Sequence, residues 1–213
     1  MKSFVKDKIT LLHCDCMEYM KDIPDNHFSL GILDPPYQNN DAIGISNGKS
    51  HSAKRTNYHQ FENIAPSQEY FNEVYRICKK WIIWGGNYFG LKGGAIVWNK
   101  HGTAFGEGEI AICNTHHSVR FFDFTWNGMI QENMKNKEDR FHPTQKPVQL
   151  YKWLLKNYAT PDMKIIDTHL GSGSSAIAAH DFGCEFVGME IDEEYFDSAV
   201  KRFDMETRQQ KMF

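Results

Sequence analysis

Hydrophobic residues along this chain come in short bursts, separated by longer segments in which they recur every three or four positions. The bursts are ITLLHC (9–14), FSLGIL (28–33), WIIWGG (81–86), GAIVWN (94–99), EIAIC (109–113), VRFFDFTW (119–126), KIID (164–167) and EFVGME (185–190), and they predict strands. The helical spacing predicts one helix opened by Ser67, with Tyr70, Phe71, Val74, Ile77 and Cys78 on one face. A second carries Val148, Tyr151, Leu154, Leu155 and Tyr158, and a third, opened by Asp192, carries Tyr195, Phe196, Ala199, Val200 and Phe203. These stripes are core-packing faces. Strands alternating with helices predict an α/β domain: a mostly parallel twisted sheet with helices on both faces.

Two segments break the pattern. Residues 38–66 are polar, rich in Asn, Ser and His, and carry Lys49, Lys54 and Arg55 with no acidic residue from 49 to 60. A loop this long inside a compact domain is usually functional or disordered. Residues 127–142 are polar too, with Lys135, Lys137 and Arg140 partly balanced by Glu132, Glu138 and Asp139.

Composition narrows the class only modestly. At 213 residues we expect a single domain, 1–213, with a polar loop at 38–66 and a short insertion near 113–142. Hydrophobic residues at 41% and charged residues at 24% match soluble globular chains. No apolar run approaches the roughly 20 residues of a membrane span, so no membrane partner is expected. The opening MKSFVKDKIT lacks an apolar signal core, and an unprocessed, cytoplasmic protein is expected. The five cysteines (Cys14, Cys16, Cys78, Cys113, Cys184) are scattered and fit a reduced compartment. HCDC at 13–16 lacks the usual zinc spacing and reads as a strand end, so no metal is expected. The formal net charge of -3 argues against a wholly basic nucleic-acid binder and leaves room for a local basic face.

The most informative stretch is IIDTHLGSGSSAIAAHDFGCEFVGMEID (165–192). A strand ends at Asp167, a loop carries Gly171 and Gly173, a small-residue helix runs through Ala179, and a second strand ends in Glu190. Glycines there let the backbone approach a ligand, and a carboxylate at the second strand end can accept hydrogen bonds from both ribose hydroxyls. A nucleoside-containing cofactor is the natural reading, although Ala176 stands where the dinucleotide fingerprint has its third glycine.

The second signal is DPPY at 34–37, off the end of FSLGIL. Ligands of open parallel sheets bind beyond the carboxyl ends of the strands, so this loop and the glycine loop can share one site. An exocyclic amine on a nucleobase is a poor nucleophile, and its reaction needs aimed acceptors. Asp34 can accept one N–H, and the prolines Pro35 and Pro36 fix the turn so that the Pro35 carbonyl can accept the other. Tyr37 offers a face on which an extruded base can stack.

DPPY, DTHLGSGS and the intervening HPTQKP (142–147) together resemble the amino-group DNA methyltransferases that use S-adenosylmethionine, of the circularly permuted β class. The resemblance runs from about Leu11 to Phe203 and keeps the class's order: tetrapeptide, recognition region, cofactor loop. It implies a Rossmann-like methyltransferase fold, with Asp34, Pro35, Pro36 and Tyr37 as the catalytic set. It implies S-adenosylmethionine as cofactor, held by Asp15, Asp34, Lys146, Asp167, Gly171, Gly173, Ser174 and Glu190. Within that set, Glu190 matches the ribose acid, Asp15 an acid near the adenine, and Lys146 with Thr144 the segment flanking the methionine end; His142 reads better as a cap or packing residue. Thr168 and His169 depart from the family's usual Pro-Phe. The recognition region, in the insertion near 113–142, is short, with little surface for reading a long site.

Asp at the first tetrapeptide position goes mainly with adenine, so the resemblance implies N6-adenine methylation of DNA, with cytosine N4 as the nearest rival. DNA contact is expected from the basic part of 38–66 and from 127–142. A homodimer and a cognate restriction endonuclease are both compatible with the resemblance. A non-catalytic cofactor- and DNA-binding subunit is a rival of another class, and an RNA or protein amide methyltransferase a third; retention of both Asp34 and Tyr37 weighs against the inert subunit.

Overall fold

In the computed structural model, residues 2–37, 64–102, 106–127 and 130–208 are described. Along them run β1 (Lys2–Lys6), β2 (Ile9–His13), α1 (Cys16–Lys21), β3 (Phe28–Leu33), α2 (Gln68–Ile77) and β4 (Cys78–Trp84). Next come β5 (Gly94–Asn99), β6 (Gly108–Cys113), β7 (Val119–Asp123), β8 (Trp126–Asn127) and β9 (Ile130–Gln131). The chain closes through α3 (Val148–Tyr158), β10 (Lys164–Asp167), α4 (Ser174–Phe182), β11 (Glu185–Glu190) and α5 (Glu193–Arg208).

Nine of these strands form one sheet in the order β1-β2-β11-β10-β3-β4-β6-β5-β7. The centre, β2 to β4, is parallel throughout. Antiparallel pairings attach β1 at one edge and insert β6 between β4 and β5 at the other. The short β8 and β9 pair separately. This is the mixed, mostly parallel α/β class expected from the alternating pattern.

The central strands are apolar on both faces because helices cover both. Leu11, Ile82, Trp84, Ile165 and Phe186 face α3, α4 and α5, packing with Leu150, Leu154, Ala178 and Phe196. Their neighbours Leu12, Ile83, Ile166 and Val187 face α1 and α2, packing with Met20, Tyr70, Phe71, Val74 and Ile77. Each strand therefore feeds alternate residues into two cores, the period-two rule applied to a covered sheet.

Several elements differ from the reading of the sequence. Strand β1 was hidden because its edge position leaves mostly lysine and serine on show. Strand β4 begins at Cys78, directly off α2, and ends at Trp84, where Gly85 turns with a φ of +67°. The run VRFFDFTW divides between β7 and β8. Ser67 sits at the N-cap of α2 with extended dihedrals, but its side chain makes no capping hydrogen bond; Asp192 does cap α5, accepting from the Tyr195 N–H at 3.0 Å. Among the described residues no helix is long and apolar enough to cross a membrane.

Strand β10 lies between β11, reached through α4, and β3, whose own connection leaves the other way through α2 to β4. Strand order reverses between β10 and β3. At their carboxyl ends the diverging loops open the crevice where such sheets bind ligands.

Candidate active site

Asp34 and Asp167 end neighbouring parallel strands, so the tetrapeptide loop and the glycine loop emerge side by side on one rim. Asp167 is fully buried and accepts from the Ser175 hydroxyl at 2.6 Å and from the His169 N–H at 3.0 Å. Burial pushes its carboxyl up to about 7, against these two donors. The next strand over, β11, ends in Glu190. Its Oε2 accepts the Gly171 N–H at 2.8 Å and its Oε1 the Asp192 N–H at 3.0 Å, while burial raises its pKa. Asp15 stands one strand further along, exposed, and its Oδ1 accepts from Met17 N–H at 2.7 Å as the N-cap of α1.

These residues fit a nucleoside cofactor. Gly171 and Gly173 take left-handed φ values of +51° and +77°, and Gly173 caps α4 without a side chain, leaving the first-turn N–H groups uncovered by any cap. A Cβ on Gly173 would stand 3.3 Å from that of Ala199, so the loop lies tight on α5. Glu190 anchors the glycine loop and still has lone pairs for ribose hydroxyls. Ser174 is the first residue of α4, buried, with its hydroxyl 2.9 Å from Arg202 Nη1.

The departure at Thr168 and His169 has a local explanation. Thr168 Oγ1 bonds the Tyr70 hydroxyl at 2.7 Å and lies 2.9 Å from His169 Nδ1, tying the start of the glycine loop to α2. Burial pulls His169 down to about 4, so its imidazole is neutral at ordinary pH.

Beyond β3, Asp34 meets a buried cation. Lys146 Nζ lies 2.5 Å from Asp34 Oδ2 and 3.0 Å from Glu109 Oε2, with Lys146 itself 3% exposed and Asp34 14%. Glu109 Oε1 also pairs with Lys100. Burial opposes ionisation of Glu109, but the two ammonium groups prevail and hold it down to about 2. Burial pushes Asp34 up from the usual carboxylate range, with Lys146 opposing and Glu109 adding to the rise. The Asp34 and Glu109 carboxylates raise Lys146 despite its burial, and it remains an ammonium. Among the described residues Asp34 Oδ1 carries no hydrogen bond, so it remains available as an acceptor.

Pro35 is buried and Pro36 half-buried, which anchors the turn. Tyr37 stacks on Tyr88 with centroids 5.0 Å apart and planes 11° from parallel. Its ring also lies over Gly85, where a Cβ would stand 2.4 Å from Tyr37 Cδ1. Burial raises the Tyr37 phenol well above its ordinary value, so the hydroxyl stays protonated.

HPTQKP touches both loops, through Lys146 at Asp34 and His142 at Gly171. Gln145 takes the Trp126 indole N–H on its carbonyl at 3.0 Å and the Phe141 N–H on its side chain at 3.3 Å. His142 is 9% exposed and packs edge-on against Tyr195 at 4.3 Å, beside Gly171. The segment 127–142 is not simply a solvated basic surface: Arg140 lies over the Trp126 ring at 5.4 Å, and Glu138 pairs with Arg202 at 2.6 Å. Arg202 also donates to the Ser172 carbonyl at 3.1 Å, bridging the glycine loop to this segment. Residues 38–63, with Lys49, Lys54 and Arg55, lie outside the described residues.

Sequence reasoning missed Gly85, Glu109, Lys100 and Arg202. The glycine pair closing WIIWGG was a signal for Gly85; Glu109 and Arg202 act through partners distant in sequence, and Lys100 pairs with Glu109 across neighbouring strands. Among the described residues no group of three His, Cys, Asp or Glu is placed to hold a metal ion.

Comparison with known proteins follows the same lines. The N6_N4_Mtase family model, a DNA methylase family, matches residues 97–201. The type II methyltransferase M.HinfI of Haemophilus influenzae is 23% identical over 252 residues, covering 95% of this chain and 70% of that protein. Among solved structures, the M1.HpyAVI–SAM complex superposes with a TM-score of 0.60 at 18% identity, over 91% of this chain and 99% of that one. The cytosine-N4-specific PvuII DNA methyltransferase gives a TM-score of 0.64 at 11% identity, over 96% of this chain and 88% of that one. At such identities the structural likeness speaks for the fold alone.

Proposed function

We propose that this chain is a DNA methyltransferase of the N6/N4 type that uses S-adenosylmethionine and acts on N6 of adenine. The single observation that carries the reading is Asp34: its Oδ2 is tied to Lys146 while, among the described residues, Oδ1 carries no hydrogen bond, on the rim of the glycine loop. When bound, S-adenosylmethionine supplies a methyl carbon activated by its sulfonium.

The chain's residues do the rest. Gly171, Gly173, Ser174 and Asp167 form the cradle, and Glu190 takes the ribose, with Asp15 toward the adenine. An extruded base stacks on Tyr37 once Tyr88 yields that face. Asp34 Oδ1 and the Pro35 carbonyl accept the two amine N–H groups, which fixes the nitrogen and favours the positive charge that develops on it. As nitrogen gains the methyl group it releases one proton, to Asp34 or to solvent. Burial of Asp34 makes it the better acceptor.

The order of the two loops along the chain, tetrapeptide before glycine loop, supports assignment to the circularly permuted β class. Residues 113–142 are the recognition insertion in this reading, joined to the glycine loop through Glu138 and Arg202. Cytosine N4 is the competing target, and mass spectrometry of nucleosides from DNA methylated with labelled cofactor separates the two.

A further inference from the structure

We propose that Glu109 is a positioning residue for methyl transfer, acting on Asp34 through the shared ammonium of Lys146. The inference rests on the reading of Asp34 as the amine acceptor. Four side chains from four parts of the fold line up with alternating sign: Lys100 after β5, Glu109 in β6, Lys146 before α3, and Asp34 at the end of β3.

The geometry divides their work. Lys146 Nζ lies 2.5 Å from Asp34 Oδ2 and 3.0 Å from Glu109 Oε2, so two carboxylates share one ammonium. Glu109 therefore brings a second negative charge to the cation that holds Asp34. A lone cation against Asp34 would lock the carboxylate but drain the acceptor strength of Oδ1. A second carboxylate on that cation keeps the lock and restores the acceptor. Lys100, with its ammonium 4.8 Å from the Trp98 ring centroid, holds Glu109 in turn.

The groups that face Asp34 are Lys146, Glu109, Lys100, Tyr37, Tyr151 on α3 and Asp167 at the end of β10. Of these, Glu109 and Lys100 set the charge balance from outside the tetrapeptide and the glycine loop, and both can be varied while Lys146 remains.

The test pairs two variants with opposite signs. Glu109→Gln leaves Lys146 uncompensated, so the Asp34 carboxyl titrates lower. Lys100→Met leaves Glu109 less compensated, so Asp34 titrates higher. Each displacement should be about one pH unit, read from the carboxyl carbon of Asp34 by NMR on the cofactor-free protein and from the acidic limb of single-turnover methyl transfer. The Glu109→Gln rate should fall about tenfold at neutral pH with cofactor affinity unchanged, and Glu109→Asp should recover part of it. Unmoved titration in both variants, or displacement in the same direction, overturns the proposal. A wild-type protein that makes no labelled nucleoside while the NMR shifts appear as expected removes the catalytic reading and leaves the charge relay standing.

Discussion

Lys146 and Asp34, 112 residues apart in the chain, meet at 2.5 Å between Nζ and Oδ2 in a nearly closed site. The contact holds one carboxylate oxygen, and among the described residues the other accepts no hydrogen bond. Substitution of Asp34 should therefore separate chemistry from binding. Asp34→Ala is expected to lower methyl transfer by about a hundredfold to a thousandfold or more, the scale of one lost aimed polar group in a transition state. Lys146 keeps Glu109 as partner, so the fold should survive. Cofactor affinity, measured by calorimetry, should hold within about tenfold, or 1.4 kcal/mol. Retained activity would remove Asp34 from the mechanism.

Gly85 gives a second separation. An alanine there would be strained at a φ of +67° and would place its Cβ 2.4 Å from Tyr37 Cδ1. Gly85→Ala should displace the stacking ring and lower the single-turnover rate by about ten- to a hundredfold, the cost of small misplacements in a positioned site. Cofactor dissociation should be unaffected. A rate equal to wild type would show that Tyr37 does not stack the base.

Glu190 has two duties, and its variant tests both. Glu190→Gln keeps one acceptor oxygen but loses the charge that meets Gly171 N–H and, in the proposed complex, the ribose. Cofactor binding should weaken by about 1 to 3 kcal/mol, the range for hydrogen bonds to charged groups. An unchanged dissociation constant would count against the ribose assignment.

His142 makes stability depend on pH. Burial, aided by the Lys146 ammonium, pulls its imidazole from 6.5 to about 4. The folded state then binds fewer protons than the unfolded one, so the histidine's contribution is full above 6.5 and is lost as pH falls through 4. Its size is on the order of 3 kcal/mol, at 1.36 kcal/mol per pKa unit. Asp167, pushed up to about 7, acts in the opposite sense: its contribution is full below the ordinary aspartate range and fades as pH rises through 7. Comparing urea midpoints of wild type and His142→Gln at pH 7.5 and 4.5 cancels the Asp167 part. The variant should lose less stability on acidification; parallel losses would mean that His142 is not the group responsible.

Much of the fold was legible because its central strands are apolar on both sides and cannot be mistaken for amphipathic helices. KIID and EFVGME lie in the sheet as read, and the rule that ligands gather at strand carboxyl ends was enough to place Asp34 beside Asp167. What the sequence conceals depends on contacts between distant residues. Glu109 sits on a strand whose neighbours in sequence say nothing of Lys146, and Arg202 stands beside, not in, the apolar stripe of its helix. Gly85 looked like a strand end, although it yields the space occupied by Tyr37. The resemblance places Lys146 toward the cofactor's methionine end; the sequence does not show that it also pairs with Asp34 and Glu109.

The central claim is that two loops on one rim bring a methyl donor to the amine of an extruded adenine. DNA incubated with the protein and S-adenosylmethionine carrying an isotopically labelled methyl group, then digested to nucleosides for mass spectrometry, tests it most directly. The expected product is labelled N6-methyldeoxyadenosine, absent with Asp34→Ala. Label in N4-methyldeoxycytidine, or in no nucleoside at all, would contradict it.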